Sequence, residues 1–327
     1  VRLDWRAALD ELRPDIVAIA TPAAPHREMA EYAAGRGCHI VCDKPLATNT
    51  ADARAMLAAV EGAGVKHGYA ATGRYAPAIL QTRLLLAQDA IGPVREIESY
   101  LHMDLPATGL PYSWINLLDQ GGGLLNNAFT HKLAQVLYIT QGTVVAAAGE
   151  ARQLGSRAPV LPAVHDFRDL WGQAGTAEAV QAAEWRPVDA DMAYTVTLQL
   201  RMPAGHVANV LLRGSTLGTA PGPEFLAIHG DGGSLSMVGS HGQDDLIQLH
   251  LAGQEGWTEV PIAPEITATL PPVPDLVQRC WNQFFREFVA DVRDGEYCGY
   301  PTFADGCLAV EIMEIARAGE GWKAVSA

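Results

Sequence analysis

Two polar side chains on one predicted helix have a spacing that allows chemistry. Asn127 and His131 lie in an apolar run that follows the glycines of residues 121–123, and residues four apart in a helix project from the same face. Histidine titrates near neutral pH and commonly acts as a general acid or base. Glycines permit close approach of a bound molecule. The stretch predicts a cleft with a titratable group, and a partly buried core histidine beside a flexible connection fits it equally well.

The composition indicates an ordinary globular protein. The chain has 327 residues, of which 49% are hydrophobic and 18% charged, and that length allows two domains with separate cores. The formal net charge of -14 argues against nucleic acid and anionic membranes as partners, because both require a basic surface. No apolar run approaches the length of a transmembrane helix, and no signal-peptide pattern is present.

The cysteines and histidines do not predict a metal site. The five cysteines have no spacing typical of a zinc site or a paired redox motif, and a reducing, cytoplasmic setting is therefore expected. His102 and Asp104 could begin a metal site, but no third ligand can be named from the sequence. We predict no metal.

The elements that hold these side chains can also be predicted. Three short apolar runs predict buried parallel strands. The runs cover residues 15–20, 38–42 and 65–70, and helical patterns at 26–35 and 48–63 separate them. Strands alternating with helices in this way are typical of a doubly wound α/β sheet, in which ligands bind beyond the carboxyl ends of the strands. The loops expected there are Thr21-Pro22, Asp43-Lys44-Pro45 and Gly73-Arg74.

The pattern changes in the second part of the chain. Alternating apolar residues separated by glycine turns over 194–212 and 225–251 predict a mostly antiparallel open sheet. Amphipathic helices are expected over 276–292 and 305–318, and residues 152–187 are expected to leave the sheet as a long excursion. The fold class is therefore α/β followed by a larger α+β part.

Seven short motifs, in this order, resemble those of the Gfo/Idh/MocA (glucose–fructose oxidoreductase / inositol dehydrogenase) family. They are Thr21-Pro22 with His26, Asp43-Lys44-Pro45, Arg74-Tyr75-Ala76-Pro77, Ile91-Gly92-Pro93-Val94, Gly121-Gly122-Gly123 with His131, Gly230 to Leu235, and Asp305-Gly306. Each motif is weak alone, and their shared order makes the resemblance specific. It implies a Rossmann-like partial sheet in residues 1–75, forming the C-terminal half of a dinucleotide-binding domain, and a substrate-binding and oligomerisation domain in residues 76–327.

The resemblance also implies a reaction and its residues. The family transfers a hydride between NAD or NADP and a hydroxyl carbon of a sugar, polyol or related cyclic compound. The catalytic residues implied are Lys44, His131 and Asn127. The cofactor-binding residues implied are Thr21, Pro22, His26, Asp43, Lys44, Pro45 and Arg74. The substrate-binding residues expected are Arg74, Tyr75, His102, Tyr112, Trp114, Asn126, Asn127 and His131. His165, Asp166 and Arg168 are further candidates, although a solvated loop fits His165 and Arg168 better.

The chain departs from the family pattern at the fingerprint and at the cleft. No Gly-x-Gly-x-x-Gly lies between a strand and a helix. We therefore expect that this chain lacks the N-terminal nucleotide-binding half, and that about sixty residues precede it in the native protein. Asn127 stands where the family has aspartate, and an amide cannot take a proton from an imidazolium. Asp43 replaces glutamate, and Phe129 and Ala134 make the cleft floor bulkier and less charged.

Three functions remain open on the sequence. The first is an NAD(P)-dependent oxidoreductase of a carbohydrate-like or cyclic hydroxy compound. The second is a redox-neutral lyase or epimerase that oxidises its substrate transiently, which the altered cleft favours. The third is a non-catalytic family member that has lost cofactor binding. The resemblance further implies a homo-dimer or homo-tetramer through the C-terminal sheet.

Overall fold

The computed structural model describes residues 4–104, 111–161, 177–218, 224–239 and 246–325. Its first part confirms the predicted alternation of strands and helices. The elements are α1 (Trp5–Leu12), β1 (Ile16–Ile19), α2 (His26–Ala34), β2 (His39–Cys42), α3 (Thr50–Gly62) and β3 (His67–Tyr69). The three strands form a parallel sheet in the order β1-β2-β3. Their carboxyl ends therefore lie along one edge, as the sequence predicted.

Helix α3 begins with a capping asparagine inside the helical pattern predicted over residues 48–63. Asn49 occupies the N-cap in an extended conformation, and its side chain accepts a hydrogen bond of 2.8 Å from the backbone N–H of Asp52. Asparagine is among the strongest N-cap residues, because its short side chain reaches the unpaired amides of the first turn.

A 3₁₀ turn over Thr72–Tyr75 and α4 (Pro77–Ala87) lead into a second, larger sheet. The remaining strands are β4 (Val94–Asp104), β5 (Thr143–Arg152), β6 (Arg157–Pro159), β7 (Trp185–Pro187), β8 (Ala193–Arg201), β9 (Val207–Gly218), β10 (Glu224–Gly230), β11 (Gly233–Gly239), β12 (Leu246–Leu251), β13 (Thr258–Val260) and β14 (Lys323–Ala324). The nine-stranded sheet has the order β13-β12-β11-β10-β4-β9-β8-β5-β14, while β6 and β7 pair separately within the predicted excursion.

The large sheet is mostly antiparallel, as expected, with one parallel pair at its centre. β4 and β9 run parallel, with Leu101 opposite Gly214. On β8, apolar side chains face the core, and Thr195, Thr197 and Gln199 alternate with them on the partly exposed face. That face is polar here, so burial of apolar surface does not by itself require a second subunit to cover β8.

Helices also lie in the second part of the chain, and the last of them packs against β3 of the small sheet and β5 of the large sheet. They are α5 (Thr130–Thr140), α6 (Ala177–Ala182), α7 (Pro264–Thr269), α8 (Leu276–Asp294) and α9 (Phe303–Ala318). Phe284 and Phe288 of α8 pack so closely on Gly68 of β3 that a Cβ there would lie 2.7 Å from the Phe284 ring. Both sheets thus contribute to one continuous hydrophobic core. Among the described residues, no helix is both long enough and apolar enough to span a lipid bilayer.

Candidate active site

A cavity of about 590 Å³ lies beyond the carboxyl ends of the parallel strands, against the large sheet. Most of its lining comes from four places in the chain. The loops after β2 and β3 contribute Asp43, Lys44, Ala70, Thr72 and Gly73; the helix around α5 contributes Gly123, Leu124, Asn127, Ala128, His131, Lys132 and Gln135; the large sheet contributes Leu101, Met103, Thr216, Glu224, Phe225, Leu226 and Met237; and α8 contributes Leu276, Val277, Cys280 and Trp281. The wall is largely apolar, with a small set of charged and amide groups, as in most small-molecule sites.

Lys44 is the basic group of this cavity that follows a parallel strand. Its Nζ lies 3.0 Å from Oδ1 and 3.3 Å from the backbone oxygen of Asn127, to which it donates. Desolvation lowers the pKa of the Lys44 ammonium, and the charge of Asp43 opposes part of that shift. A lysine whose pKa is lowered by burial can exchange a proton closer to neutral pH than a solvated one. Lys44 is therefore not a solvated loop residue.

The predicted pair of Asn127 and His131 shares the cavity wall with Lys44. The helix begins with a π turn over Leu125–Phe129 and continues as α5. Asn127 Nδ2 donates to the oxygen of Gly123 at 2.8 Å, so that its Oδ1 faces the Lys44 ammonium. Lys44, Asn127 and His131 therefore line the same cavity.

The fold itself requires glycine at two positions before this helix, whether or not a molecule is bound. Gly121 and Gly123 have φ values of +84° and +100°, which side chains rarely adopt. A Cβ on Gly121 would lie 2.6 Å from the Cβ of Ala23, and one on Gly123 would lie 2.8 Å from Oδ2 of Asp191. These glycines therefore allow their loop to pack against Ala23 and Asp191. Gly123 also lines the cavity, where a bound molecule could approach it.

A buried carboxylate holds the start of the helix. Asp191 is 4% exposed and accepts a hydrogen bond of 2.7 Å from the N–H of Leu125. Arg317 of α9 donates to Asp191 Oδ2 through Nη2 at 2.9 Å and Nε at 3.1 Å, and to Asn126 Oδ1 at 3.0 Å. Asn126 is 2% exposed and does not line the cavity. The structure therefore places Asn126 in a support network and not in the expected substrate wall.

His26 also lies behind the site. It is fully buried; Nε2 lies 2.9 Å from the oxygen of Thr21, and Nδ1 lies 3.1 Å from that of Leu46. The ring therefore links the loops after β1 and β2, and both of its nitrogens face backbone carbonyl groups. Thr21 and Pro22 are accessible in the first of these loops, whereas Pro45 is buried behind Lys44.

The Arg74-Tyr75 motif turns away from the cavity. The Arg74 guanidinium lies 4.0 Å from the centre of the Tyr138 ring. Tyr75 is buried, and its hydroxyl donates to Glu287 Oε2 at 2.5 Å. Neither side chain lines the cavity, so the structure does not bring these two predicted site residues together with Lys44, Asn127 and His131.

The other expected substrate residues are also outside the cavity lining. His102 alternates along β4 with Leu101 and Met103, which do line it, and therefore projects from the other face of the sheet. Tyr112 pairs through its backbone with Pro159 of β6, and Arg186 lies 5.4 Å from its ring centre. Trp114 is partly buried in a 3₁₀ turn. His165, Asp166 and Arg168 lie outside the described residues.

Sequence reasoning missed an ion pair in the cavity wall. Lys132 of α5 pairs with Glu224 of β10, and both side chains are 12% exposed. Lys132 follows His131 directly, which was the available signal, but its partner lies far along the chain. In the parts of the chain that the structure describes, no group of three or more His, Cys, Asp or Glu side chains could hold a metal ion.

The contact between Lys44 and Asn127 can be tested through the pKa of Lys44. We expect Asn127→Asp to raise the pKa of Lys44 by about 1–3 units, because a carboxylate in place of the amide oxygen favours the ammonium form. The variant also loses the bond to Gly123, at a cost of about 1 kcal/mol. NMR titration of ¹³C-methylated lysines measures the pKa. Asn209→Asp, the same change at an exposed position of β9, is the control, and an unchanged Lys44 titration in Asn127→Asp would contradict the assigned contact.

Comparison with known proteins shows the class of protein that this fold and site define. Residues 3–70 match the model of the oxidoreductase family with an NAD-binding Rossmann fold, and residues 79–236 match the GFO/IDH/MocA C-terminal domain. The two matches are consecutive and together cover about two thirds of the chain. The chain belongs to the Gfo/Idh/MocA oxidoreductase family.

Individual relatives are dehydrogenases. The chain is 33% identical to levoglucosan dehydrogenase of Pseudarthrobacter phenanthrenivorans over 138 residues, which are 42% of this chain and 35% of the relative. It is 32% identical to D-glucoside 3-dehydrogenase of Escherichia coli over 187 residues, 56% of this chain and 47% of the relative. The chain thus matches less than half the length of these curated relatives.

Solved structures match over more of their length. The apo form of levoglucosan dehydrogenase superposes with a TM-score of 0.79 at 25% identity, covering 99% of this chain and 83% of that one. An oxidoreductase domain protein from Kribbella flavida gives 0.78 at 25% identity, covering 99% and 84%.

The match to residues 3–70 corrects one expectation. The lack of a Gly-x-Gly-x-x-Gly motif predicts that this chain lacks the nucleotide-binding half. However, the match to the NAD-binding Rossmann family extends over the segment from α1 to β3. The parallel strands and the loops at their carboxyl ends are themselves part of that domain. The expectation that the nucleotide-binding half is missing was therefore wrong.

Proposed function

We propose that this protein is an NAD(P)-dependent oxidoreductase that transfers a hydride to or from a hydroxyl carbon of a sugar, polyol or related cyclic compound. The observation that carries the proposal is the position of Lys44. Its ammonium is held in the wall of a cavity at the carboxyl end of the parallel strands, with a lowered pKa and with His131 on the same wall. Substrates bind at this edge of such sheets.

The residues at this edge fit a dinucleotide. The accessible loop of Thr21 and Pro22 follows β1, and Asp43 and Lys44 follow β2 at the cavity. His26 holds these two loops together from behind. When bound there, NAD or NADP supplies the hydride acceptor or donor. Residues 1–75 would then carry the cofactor and residues 76–327 the substrate wall.

Lys44 is proposed to bind the reacting oxygen and to exchange its proton. In the direction of oxidation, the neutral amine accepts a proton from the substrate hydroxyl; in reduction, the ammonium donates one to the developing alkoxide. The amide oxygen of Asn127 orients Nζ without adding a negative charge, which preserves the lowered pKa. His131 is proposed as the second acid or base on the same wall.

The substrate class rests on the family and on the cavity. The relatives named above act, by their names, on levoglucosan and D-glucosides, and crystals of levoglucosan dehydrogenase contain NADH with levoglucosan. The cavity here combines Phe225 and Trp281 with amide and charged groups, a mixture that suits a hydroxylated ring.

Cofactor titration followed by turnover tests the proposal. The purified protein is titrated with NADH and NADPH by fluorescence. It is then assayed with NAD⁺ or NADP⁺ and levoglucosan, methyl glucosides or inositol, by the absorbance of the reduced nicotinamide that forms. We expect binding of at least one cofactor and its reduction by at least one polyol. A folded protein that binds neither cofactor would overturn the proposal. Product formation without net release of reduced cofactor would favour the redox-neutral lyase or epimerase.

A further inference from the structure

The Lys132–Glu224 ion pair is a second charged feature of the cavity, distinct from Lys44. It joins α5 to the first residue of β10 across the wall. Lys132 Nζ also donates to Oε1 of Gln135 at 3.3 Å. The Nε2 of Gln135 in turn lies 3.4 Å from the oxygen of Gly73, to which it donates. The pair is therefore built into a polar network that spans three walls of the cavity.

Stability alone does not explain an ion pair in this position. Both side chains are 12% exposed, and the desolvation of two charges offsets much of their attraction. Leu226 and Met237 line the same part of the large sheet, so apolar side chains at the two positions would pack at no greater cost. Charged groups that line a cavity in this way can instead contact what enters it.

The charges that line the cavity balance one another. Among the described residues, its acidic and basic side chains are Asp43, Lys44, His131, Lys132 and Glu224. With a neutral histidine and a protonated Lys44, they comprise two cations and two anions. A charged ligand that reaches the Lys132–Glu224 side of this partly desolvated space would find those two charges already paired with each other, and would lose its own hydration without gaining an ion pair there.

We propose that the Lys132–Glu224 pair is a specificity-determining element that selects uncharged polyhydroxy substrates and rejects their carboxylated and aminated analogues. The carboxylate accepts hydrogen bonds from hydroxyl groups and the ammonium donates to hydroxyl oxygens, so that a neutral polyol satisfies both members without separating them. This inference rests on the proposed function, since it concerns the substrate of the same cavity.

Three ligands with one ring but different charge test the inference. They are methyl glucoside, methyl glucuronide and methyl glucosaminide, and their binding to the NADH-saturated and to the cofactor-free protein is measured by calorimetry. We expect the wild type to bind the glucoside about tenfold or more tightly than either charged analogue. Glu224→Gln should shift the preference at least about tenfold towards the glucuronide, and Lys132→Gln should shift it towards the glucosaminide by a similar factor.

The opposite signs of these shifts separate selectivity from damage, because a misfolded cavity weakens all three ligands alike. Asp231→Asn is the matched control: it removes a carboxylate from the exposed pair with Arg95 and should leave the preference unchanged. Either single variant is sufficient if the other does not fold. Equal binding of glucoside and glucuronide by the wild type, an unchanged preference in the folded variants, or no binding of any of the three ligands would overturn the inference. Turnover is assayed in parallel, so that selective binding without cofactor reduction contradicts the proposed function alone.

Discussion

Replacement of Lys44 by methionine is expected to lower kcat by about 10²–10⁴-fold, the usual contribution of a positioned acid or base. Methionine keeps much of the length and volume of the lysine side chain and removes the group that exchanges the proton. KM for substrate should change much less, since His131, Lys132 and Glu224 still line the cavity. The measurement is steady-state kinetics with the polyol and cofactor identified by the titration above.

The same variant should not lower stability, because Lys44 occupies a desolvated position. Its pKa in the folded protein lies below the unfolded value. The folded state therefore disfavours the protonated side chain, which lowers the free energy of unfolding. This loss is fully present at low pH and fades as the pH rises from the lowered folded pKa towards the unfolded value. Lys44→Met removes the cost at neutral pH, partly offset by the lost bonds to Asn127. We expect a thermal midpoint no lower than that of the wild type.

The pH profile distinguishes a proton-exchanging lysine from a merely structural one. In the direction of oxidation, kcat/KM of the wild type should rise with pH to a plateau above the lowered pKa of Lys44. Lys44→Met should lose this limb. Lys323→Met removes an exposed ammonium that pairs with Glu320 at 3.1 Å and should retain both rate and limb. Wild-type kcat in Lys44→Met would exclude Lys44 from the reaction.

The parts of the cavity that could be predicted are those whose geometry is set by the local sequence. Lys44 follows a buried strand, and a parallel sheet brings such ends to one edge whatever the rest of the chain does. Asn127 and His131 share a helix, where a separation of four residues places them on one face even though the first turn is a π turn. The strands and helices could be predicted for the same reason, because the period of the apolar residues determines which side of an element is buried.

Contacts between distant segments could not be predicted. Tyr75 belongs to a motif beside the site, but the docking of α8 brings Glu287 to its hydroxyl and draws the ring into the core. Glu224 reaches Lys132 only because β10 lies beside β4, below the helix. The contact of Asn126 with Arg317 could not be predicted either, since Arg317 comes from the last helix. In each case the partner is set by tertiary packing and not by neighbours in sequence.

Replacement of Arg317 by methionine is expected to destabilise the protein by about 3–5 kcal/mol, the cost of leaving a buried carboxylate without its partner. Asp191 accepts two bonds from this guanidinium, and its side chain is 5% exposed. Its remaining hydrogen bond to the N–H of Leu125 cannot neutralise the charge. Chemical denaturation measures the loss. Arg293→Met removes an exposed guanidinium that pairs with Asp294 and should cost less than about 1 kcal/mol.

A double variant tests the physical reason for this loss. If the unpaired charge of Asp191 causes it, then Asp191→Asn combined with Arg317→Met should be more stable than Arg317→Met alone, because the carboxylate is gone. If lost packing of the arginine stem causes it, the second substitution gives no recovery. Asp191 also holds the first turn of the helix that carries Asn127 and His131. Recovery of stability without recovery of kcat would then show that the carboxylate positions these side chains as well as pairing with Arg317.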